Sequence, residues 1–209
     1  MDIIRPRLTD YHGIHKNQAD LDFAIQFFDE DIPLYVDPFL LWKSPSQQDN
    51  ALYTTITNSF NHLNYLIKKK QEDEALSILI DISECHEVGL GVSKTRKGTK
   101  ISEKQAQDIL SLFKDIPEYS QFGFTHFEII QLYISGISKD RISDITCNYL
   151  KSFLIDYTIE QCEINKIPTE GVILDSIYNY KTNKLDTNQK VYLPVNPLTK
   201  EPLIFTPKR

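Results

Sequence analysis

The sequence predicts a mainly α-helical α+β fold, in which a multi-helix body carries a small C-terminal β-hairpin or meander. Apolar residues recur at helical spacing through most of residues 18–166, whereas short apolar runs separated by polar turns follow Pro168. The chain has 209 residues, 41 % of them hydrophobic, which is enough to bury a sizeable core. We therefore expect an N-terminal arm over residues 1–17, a helical body over 18–166 and a β appendage over 167–209.

The body begins with one predicted helix and a segment that contains prolines. Apolar side chains at helical spacing predict a helix over about residues 18–29. The apolar segment at 32–42 contains prolines that exclude a central strand or a long helix. We expect it to run extended into a short helix, with Asp37 as the N-cap and Pro38 at the first helical position.

Further helices are indicated by apolar periodicity and by residue types that are typical of helix ends. Ser102 with Gln105, and Thr125 with Glu128, have the spacing of a capping box, in which side chain and backbone exchange hydrogen bonds in the first turn. The predicted helices span about residues 48–70, 72–83, 102–116, 125–136 and 140–165, and the last of these is predicted to be the longest.

Strands are predicted after Pro168, where the helical period is lost. The short apolar runs at residues 172–174, 177–178, 191–195 and 203–205 are the predicted strands, and residues 181–189 are a predicted polar loop. Because the chain stops soon after the last of these runs, we expect a longer parent protein that continues beyond Arg209.

Composition excludes several classes of protein. Acidic residues outnumber basic ones by 29 to 23, so a general nucleic-acid coat is excluded. The three cysteines have no metal-ligand spacing and indicate reduced thiols. The first residues lack the apolar core of a secretory signal, and no window is long and apolar enough to span a membrane. We therefore expect a cytoplasmic protein with no membrane contact.

A glycine-rich basic loop runs through residues 84–100 of this acidic chain. Glycines let backbone N–H groups turn toward an anion, and the start of the next helix adds partial positive charge. Residues 94–104 hold five basic side chains and one acid. The loop is therefore a candidate phosphate site, with the predicted ligands Gly89, Gly91, Lys94, Arg96, Lys97 and Lys100.

The same residues allow two other interpretations of this loop. The spacing from Gly89 to Lys94 is similar to a P-loop but lacks the second glycine directly before the lysine, so we reject a Walker A site. The alternative that stays open is a solvated surface loop whose charges favour solubility.

A polar pattern at the start of the predicted long helix is the second candidate site. Asp140, Asp144 and Asn148 are spaced four residues apart and lie on one helix face, where they could hold a divalent cation, Mg²⁺ or Mn²⁺. In the catalytic interpretation, Asp140 or Asp144 acts as a general base and Arg141 holds an oxyanion. The alternative is ordinary helix capping, with salt bridges from an arginine offsetting the repulsion between the acids.

Four segments of the chain, residues 32–41, 89–93, 140–146 and 203–208, form a recognisable pattern when taken together. In these segments the chain resembles an uncharacterised group of bacterial proteins found in phage-defence gene neighbourhoods. The resemblance implies a bacterial cytosolic setting, a nuclease or sensor role in antiviral defence, and a longer parent protein. It assigns no role to any single residue.

Two classes of function follow from these patterns. The first is a phosphate-handling domain that acts on nucleic acid or a nucleotide, such as a metal-dependent nuclease, and it requires the basic loop and the Asp140 face to converge. The second is a non-catalytic interaction or assembly module that binds a protein partner or a second copy of itself. In this case the exposed apolar segment around Trp42 and a β edge near Phe205 would form the docking surface.

Overall fold

The computed structural model describes residues 7–208, and these form nine α-helices and four short strands. The helices are α1 (Leu8–Tyr11), α2 (Pro38–Lys43), α3 (Gln47–Lys68), α4 (Glu72–Asp81), α5 (Glu103–Asp115), α6 (Pro117–Phe122), α7 (Ile130–Tyr133), α8 (Lys139–Tyr149) and α9 (Lys151–Asn165). The strands are β1 (Glu170–Leu174), β2 (Ile177–Asn179), β3 (Lys184–Asp186) and β4 (Gln189–Leu193). The fold is mainly α-helical with a small β part, which confirms the predicted fold class. Among the helices of residues 7–208, none is long and apolar enough to cross a membrane.

The central helices of the prediction are present as α3, α4 and α5. The apolar stripe of α3 is buried at Ile56, Phe60 and Leu63, as its periodicity predicts. The capping box of α5 is also present: Ser102 Oγ accepts from the backbone N–H of Gln105 at 3.2 Å, and Gln105 Oε1 accepts from the N–H of Ser102 at 3.1 Å. Local signals therefore define this part of the chain correctly.

The short helix α2 also begins as predicted. Pro38 occupies the first turn, and the Asp37 carboxylate accepts from the backbone N–H of Phe39 at 3.0 Å. This cap fixes the direction in which the apolar segment leaves the loop before it.

Two hydrophobic clusters organise the interior. The larger one is formed mainly by α3, α4, α5, α8 and α9, and it takes in Leu174, Tyr178 and Leu193 from the strands. The smaller one joins residues that are distant in sequence, and its buried members are Leu8, Leu21, Phe23, Phe28, Cys162, Ile167, Leu203 and Phe205. The N-terminal and C-terminal segments therefore share one core.

The helix predicted at residues 18–29 is wrong. A single 3₁₀ turn at Gln18–Asp20 is followed by extended chain that lies against the C-terminal segment. The N–H of Ala24 donates to the Thr206 carbonyl at 3.1 Å, and the N–H of Lys208 donates to the Asp22 carbonyl at 2.8 Å. The apolar residues fill the small cluster from an extended backbone, so their helical spacing was misleading.

Two other segments of the N- and C-terminal regions differ from the prediction. Residues 1–6 of the predicted arm lie outside the described residues, while Leu8 in α1 is fully buried. The predicted strand at 203–205 forms no ladder with any other part of residues 7–208, but all three of its side chains are fully buried. Its backbone groups instead form single hydrogen bonds with different segments. For example, the N–H of Ile204 donates to the Glu87 carbonyl at 2.9 Å.

The helix predicted at residues 140–165 is divided at Leu150 into α8 and α9, so the longest described helix is α3. Every residue from Ile142 to Lys151 is buried, because α8 is surrounded by protein on all sides. The helix predicted at 125–136 is a 3₁₀ turn at Phe127–Ile129 followed by α7, and His126 in front of it makes no side-chain cap.

The β part consists of two antiparallel pairs, β1 with β4 and β2 with β3. Strand β3 lies inside the region predicted to be a polar loop. Its polar residues are tied to β2, since Asn179 Nδ2 donates to Asp186 Oδ2 at 3.0 Å. Strand β2 packs on α8 and α9, which places the hairpin turn beside the helical body.

Candidate functional site

The two sequence features singled out above, the basic loop and the start of α8, meet at Arg141. Its Nη1 donates to the Ser83 carbonyl and lies 3.2 Å from both Glu84 Oε2 and Asp144 Oδ2. Its Nη2 donates to the Thr99 carbonyl at 2.5 Å. One guanidinium therefore connects both ends of the loop at 84–100 to α8.

The glycines of the loop make this close approach feasible. Gly91 has φ +133°, and a Cβ at that position would lie 2.7 Å from Asp140 Oδ1 and 3.4 Å from Asp31 Oδ2. Gly89 has φ +59°, and a Cβ there would collide with the guanidinium of Arg96. Because both residues lack a Cβ, the loop backbone can pack directly against neighbouring side chains of the protein.

Arg96, predicted to bind phosphate, is directed into the protein. It is 3 % exposed, and its Nη1 donates to the Phe27 carbonyl at 2.9 Å. Its Nη2 lies 3.4 Å from the His86 carbonyl and 3.5 Å from the Glu87 carbonyl. The guanidinium fixes the loop from inside rather than facing solvent.

The lysines of the loop face solvent. Lys100 pairs with Asp81 at 2.6 Å, an exposed contact of small energetic value. Lys94 and Lys97 are exposed and form no ion pair with any residue in the described part of the chain. Of the predicted phosphate ligands with a charged side chain, these two remain available to an anion.

The polar face of α8 is buried. Asn148 is 3 % exposed and its Nδ2 donates to the carbonyls of Ile82 and Glu84 at 2.8 Å, which holds the chain before the loop. Asp144 is 6 % exposed, and Asp140 lies against Gly91. Within residues 7–208 no group of three or more histidine, cysteine or acidic side chains is arranged to hold a metal ion. The role of Asp140, Asp144 and Asn148 as ligands of Mg²⁺ or Mn²⁺ stays a prediction.

Several acidic side chains lie close together at this junction, and two of them have raised pKa values. Burial, followed by the neighbouring Glu84, raises the pKa of Asp144 to about 8, although Arg141 acts in the opposite direction. Burial also raises the pKa of Asp31 to about 6, against the effect of Arg96. Asp144 is therefore protonated at neutral pH, and Glu84 and Asp140 are further acidic side chains that act on it.

An apolar groove lies on another part of the surface. It is a cavity of about 270 Å³ between α2, α3, α9 and the C-terminal segment. Leu34 and Leu40 line it and are 52 % and 58 % exposed, and Trp42 nearby on α2 is 45 % exposed. The other apolar side chains of its wall are Ala24, Val36, Leu41, Leu52, Leu90, Cys147, Leu150, Phe153, Leu154 and Pro207.

The exposed apolar segment predicted around Trp42 is thus present, whereas the predicted β edge near Phe205 is wrong. Phe205 is fully buried and stacks on Phe23 with ring centroids 4.3 Å apart. Its N–H donates to Thr158 Oγ1 at 2.8 Å, so this backbone has no free edge.

Comparison with known proteins gives a family but no activity. Residues 13–209 match a family described as a domain of unknown function, DUF8370. The chain belongs to the DUF8370 family. Searches of curated proteins and of solved structures returned no match. The phage-defence resemblance and the nuclease role therefore stay predictions.

In this DUF8370 chain a buried ion pair that no sequence pattern indicated lies beneath the loop. Lys151 Nζ lies 3.1 Å from Glu87 Oε1, and the two side chains are 4 % and 7 % exposed. Burial opposes both charges, yet the pair lowers the pKa of Glu87 and raises that of Lys151. No local spacing indicates this contact, since 64 residues separate the partners.

Proposed function

We propose that the protein is a non-catalytic interaction module whose apolar groove binds apolar side chains of a protein partner. The observation that carries this proposal is the exposure of Leu34 and Leu40 on the groove, where each is more than half exposed. Burying such a side chain in an interface is worth about 1.5–3 kcal/mol.

The shape of the groove favours a helical segment as the occupant. Helices α2, α3 and α9 each contribute apolar side chains to its walls, and its polar groups, including Asp37 and Lys208, are few. An amphipathic helix with apolar residues three and four apart inserts its anchors into such a groove. A second copy of this chain would bind through the same leucines.

Peptide selection followed by titration tests the proposal. Helical peptides selected from a display library on the wild-type protein should bind at least about tenfold more weakly to Leu40→Asp, because a charge in the groove opposes burial of an apolar anchor. Leu132→Asp is the matched control, since Leu132 is 80 % exposed on α7 and is not part of the groove.

The outcomes separate the alternatives. Loss of self-association in Leu40→Asp, measured by sedimentation, would identify the partner as a second copy. Selected peptides that bind Leu40→Asp and wild type equally, together with a monomeric wild type, would overturn the proposal.

A second candidate function is phosphate contact by the basic loop, and the observation that favours it is the exposure of Lys94 and Lys97, which form no ion pair within residues 7–208. The double variant Lys94→Glu/Lys97→Glu should reduce binding of a polyanion by about tenfold or more at low salt. Lys100→Glu serves as a comparison, because Lys100 already pairs with Asp81. This candidate function would be eliminated if the double variant bound DNA and RNA as tightly as the wild type does, with or without Mg²⁺ or Mn²⁺.

A further inference from the structure

A cleft that no sequence motif indicated lies between α3 and the β2–β3 turn. We call it the tyrosine cleft; it has a volume of about 410 Å³, and its lining includes Asn58, His62, Tyr65, Tyr180 and Asn183. None of them lines the apolar groove, and none belongs to the loop at 84–100. The cleft therefore stands apart from both surfaces discussed above.

Two tyrosine rings in this cleft are open to solvent. Tyr65 is 52 % exposed and Tyr180 is 49 % exposed. His62 stacks on Tyr65, with ring centroids 5.3 Å apart and an angle of 24° between the planes. Exposed aromatic rings at a concave polar surface are typical platforms for the stacking of a planar ring.

Each tyrosine is accompanied by a lysine. Lys69 Nζ lies 5.6 Å from the ring centroid of Tyr65, and Lys181 Nζ lies 5.9 Å from that of Tyr180. Neither lysine forms an ion pair within residues 7–208. Positive charge is thus available beside both stacking platforms, as the phosphates of a nucleic-acid strand require.

Hydrogen-bonding groups complete the cleft. Asn183 Oδ1 accepts from the Tyr178 hydroxyl at 3.0 Å, and its amide N–H groups donate to no other group within residues 7–208. Asn58 is exposed and makes no side-chain hydrogen bond within the described residues. Burial lowers the pKa of His62 against the opposing effect of Glu74, so the neutral ring offers one donor and one acceptor.

We propose that the tyrosine cleft binds single-stranded nucleic acid. Bases stack on Tyr65 and Tyr180, and Lys69 and Lys181 contact the phosphates. Single strands are favoured over duplexes because a base must leave its own stack to lie on a side chain. The positive charges of Lys69 and Lys181 favour this anionic ligand over a neutral saccharide, which would use the same rings and amides.

Fluorescence anisotropy with labelled oligonucleotides tests the proposal on the full chain. We expect Tyr65→Ala and Tyr180→Ala each to weaken binding of a single strand of about twelve nucleotides by about 5- to 150-fold, the range for loss of one stacked base. Tyr65→Phe should retain binding, since the ring remains. Lys69→Gln and Lys181→Gln should each reduce the dependence of log K on log salt by about 0.7.

The chain supplies a closely matched control. Tyr192 on β4 is 58 % exposed, with Lys190 Nζ 5.8 Å from its ring centroid, but it lies outside the cleft. Tyr192→Ala should bind the oligonucleotide as wild type does. Circular dichroism and urea unfolding check that all variants remain folded.

Three results would overturn the proposal. They are no binding by wild type, equal binding of single strand and duplex, and binding that the two tyrosine variants leave unchanged. Binding lost in Lys94→Glu/Lys97→Glu but retained in the tyrosine variants would support the basic loop instead. Binding of a neutral oligosaccharide that depends on Tyr65 would assign the cleft to saccharides.

Discussion

Among single residues, Asp144 makes the stability of the protein depend on pH. Burial and Glu84 raise its pKa to about 8 in the folded chain, whereas an unfolded aspartate titrates near about 3.9. Between these values the folded state binds more protons than the unfolded state. The free energy of unfolding therefore decreases as pH rises through this window, by at most about 1.4 kcal/mol per pH unit from this group.

We predict that Asp144→Asn weakens this pH dependence, because an amide has no charge to bury. Asp31 has a pKa of about 6, so it contributes mainly at lower pH. Urea unfolding compared at about pH 7 and about pH 8 isolates Asp144. Wild type should lose stability over this interval, and the variant should lose less. Equal slopes for the two proteins would mean that Asp144 is already ionised when folded.

The secondary-structure elements show which kinds of sequence signal are sufficient to predict a helix. Helices α3 and α5 were predicted because their stripes and caps involve residues within one or two turns of each other. The extended conformation of residues 18–29 was not predicted, because Ala24 hydrogen-bonds to Thr206, which is distant in the sequence. Pairing with a distant segment overrides a local helical pattern. The spacing of apolar residues within a window of about twelve residues cannot predict such pairing.

The candidate site illustrates the same limit. The sequence placed Asp140 and Asp144 on one face of α8 correctly, but it could not show that α8 is buried on all sides. Polar residues on an exposed helix face are free to bind a ligand, whereas on a buried helix they must bind protein groups. In the structure Arg141 and Asn148 accordingly donate hydrogen bonds to backbone carbonyls of the loop, those of Thr99 and Glu84.

The loop at 84–100 depends on glycine at its closest approach to α8. We predict that Gly91→Ala destabilises the protein by about 1–3 kcal/mol, because φ is +133° and the new Cβ would meet Asp140 Oδ1. Gly13→Ala is the control, since Gly13 has φ +62° but no heavy atom within 4 Å of the added Cβ. Urea unfolding should show the smaller loss for Gly13→Ala. A Gly91→Ala variant no less stable than Gly13→Ala would contradict the close packing.

In the whole molecule, the C-terminal segment connects the two hydrophobic clusters. Its side chains alternate, so that Leu203 and Phe205 enter the small cluster while Ile204 enters the large one. Gln26 reinforces this junction, because its Nε2 donates to the carbonyls of both Val88 and Ile204 at 2.7 Å. Unfolding of this segment would therefore expose parts of both cores.

We predict that Phe205→Ala destabilises the whole protein by about 3–5 kcal/mol, the usual loss for a buried phenylalanine. Leu198→Ala, at a leucine that is 61 % exposed, should change the free energy of unfolding by less than about 0.5 kcal/mol. Hydrogen exchange followed along the chain gives the sharper test. The amide of Ala24 bonds to this segment, so its protection should fall together with that of Lys208. Retained protection at Ala24 in the variant would show that the N-terminal segment is held independently of the C-terminal one.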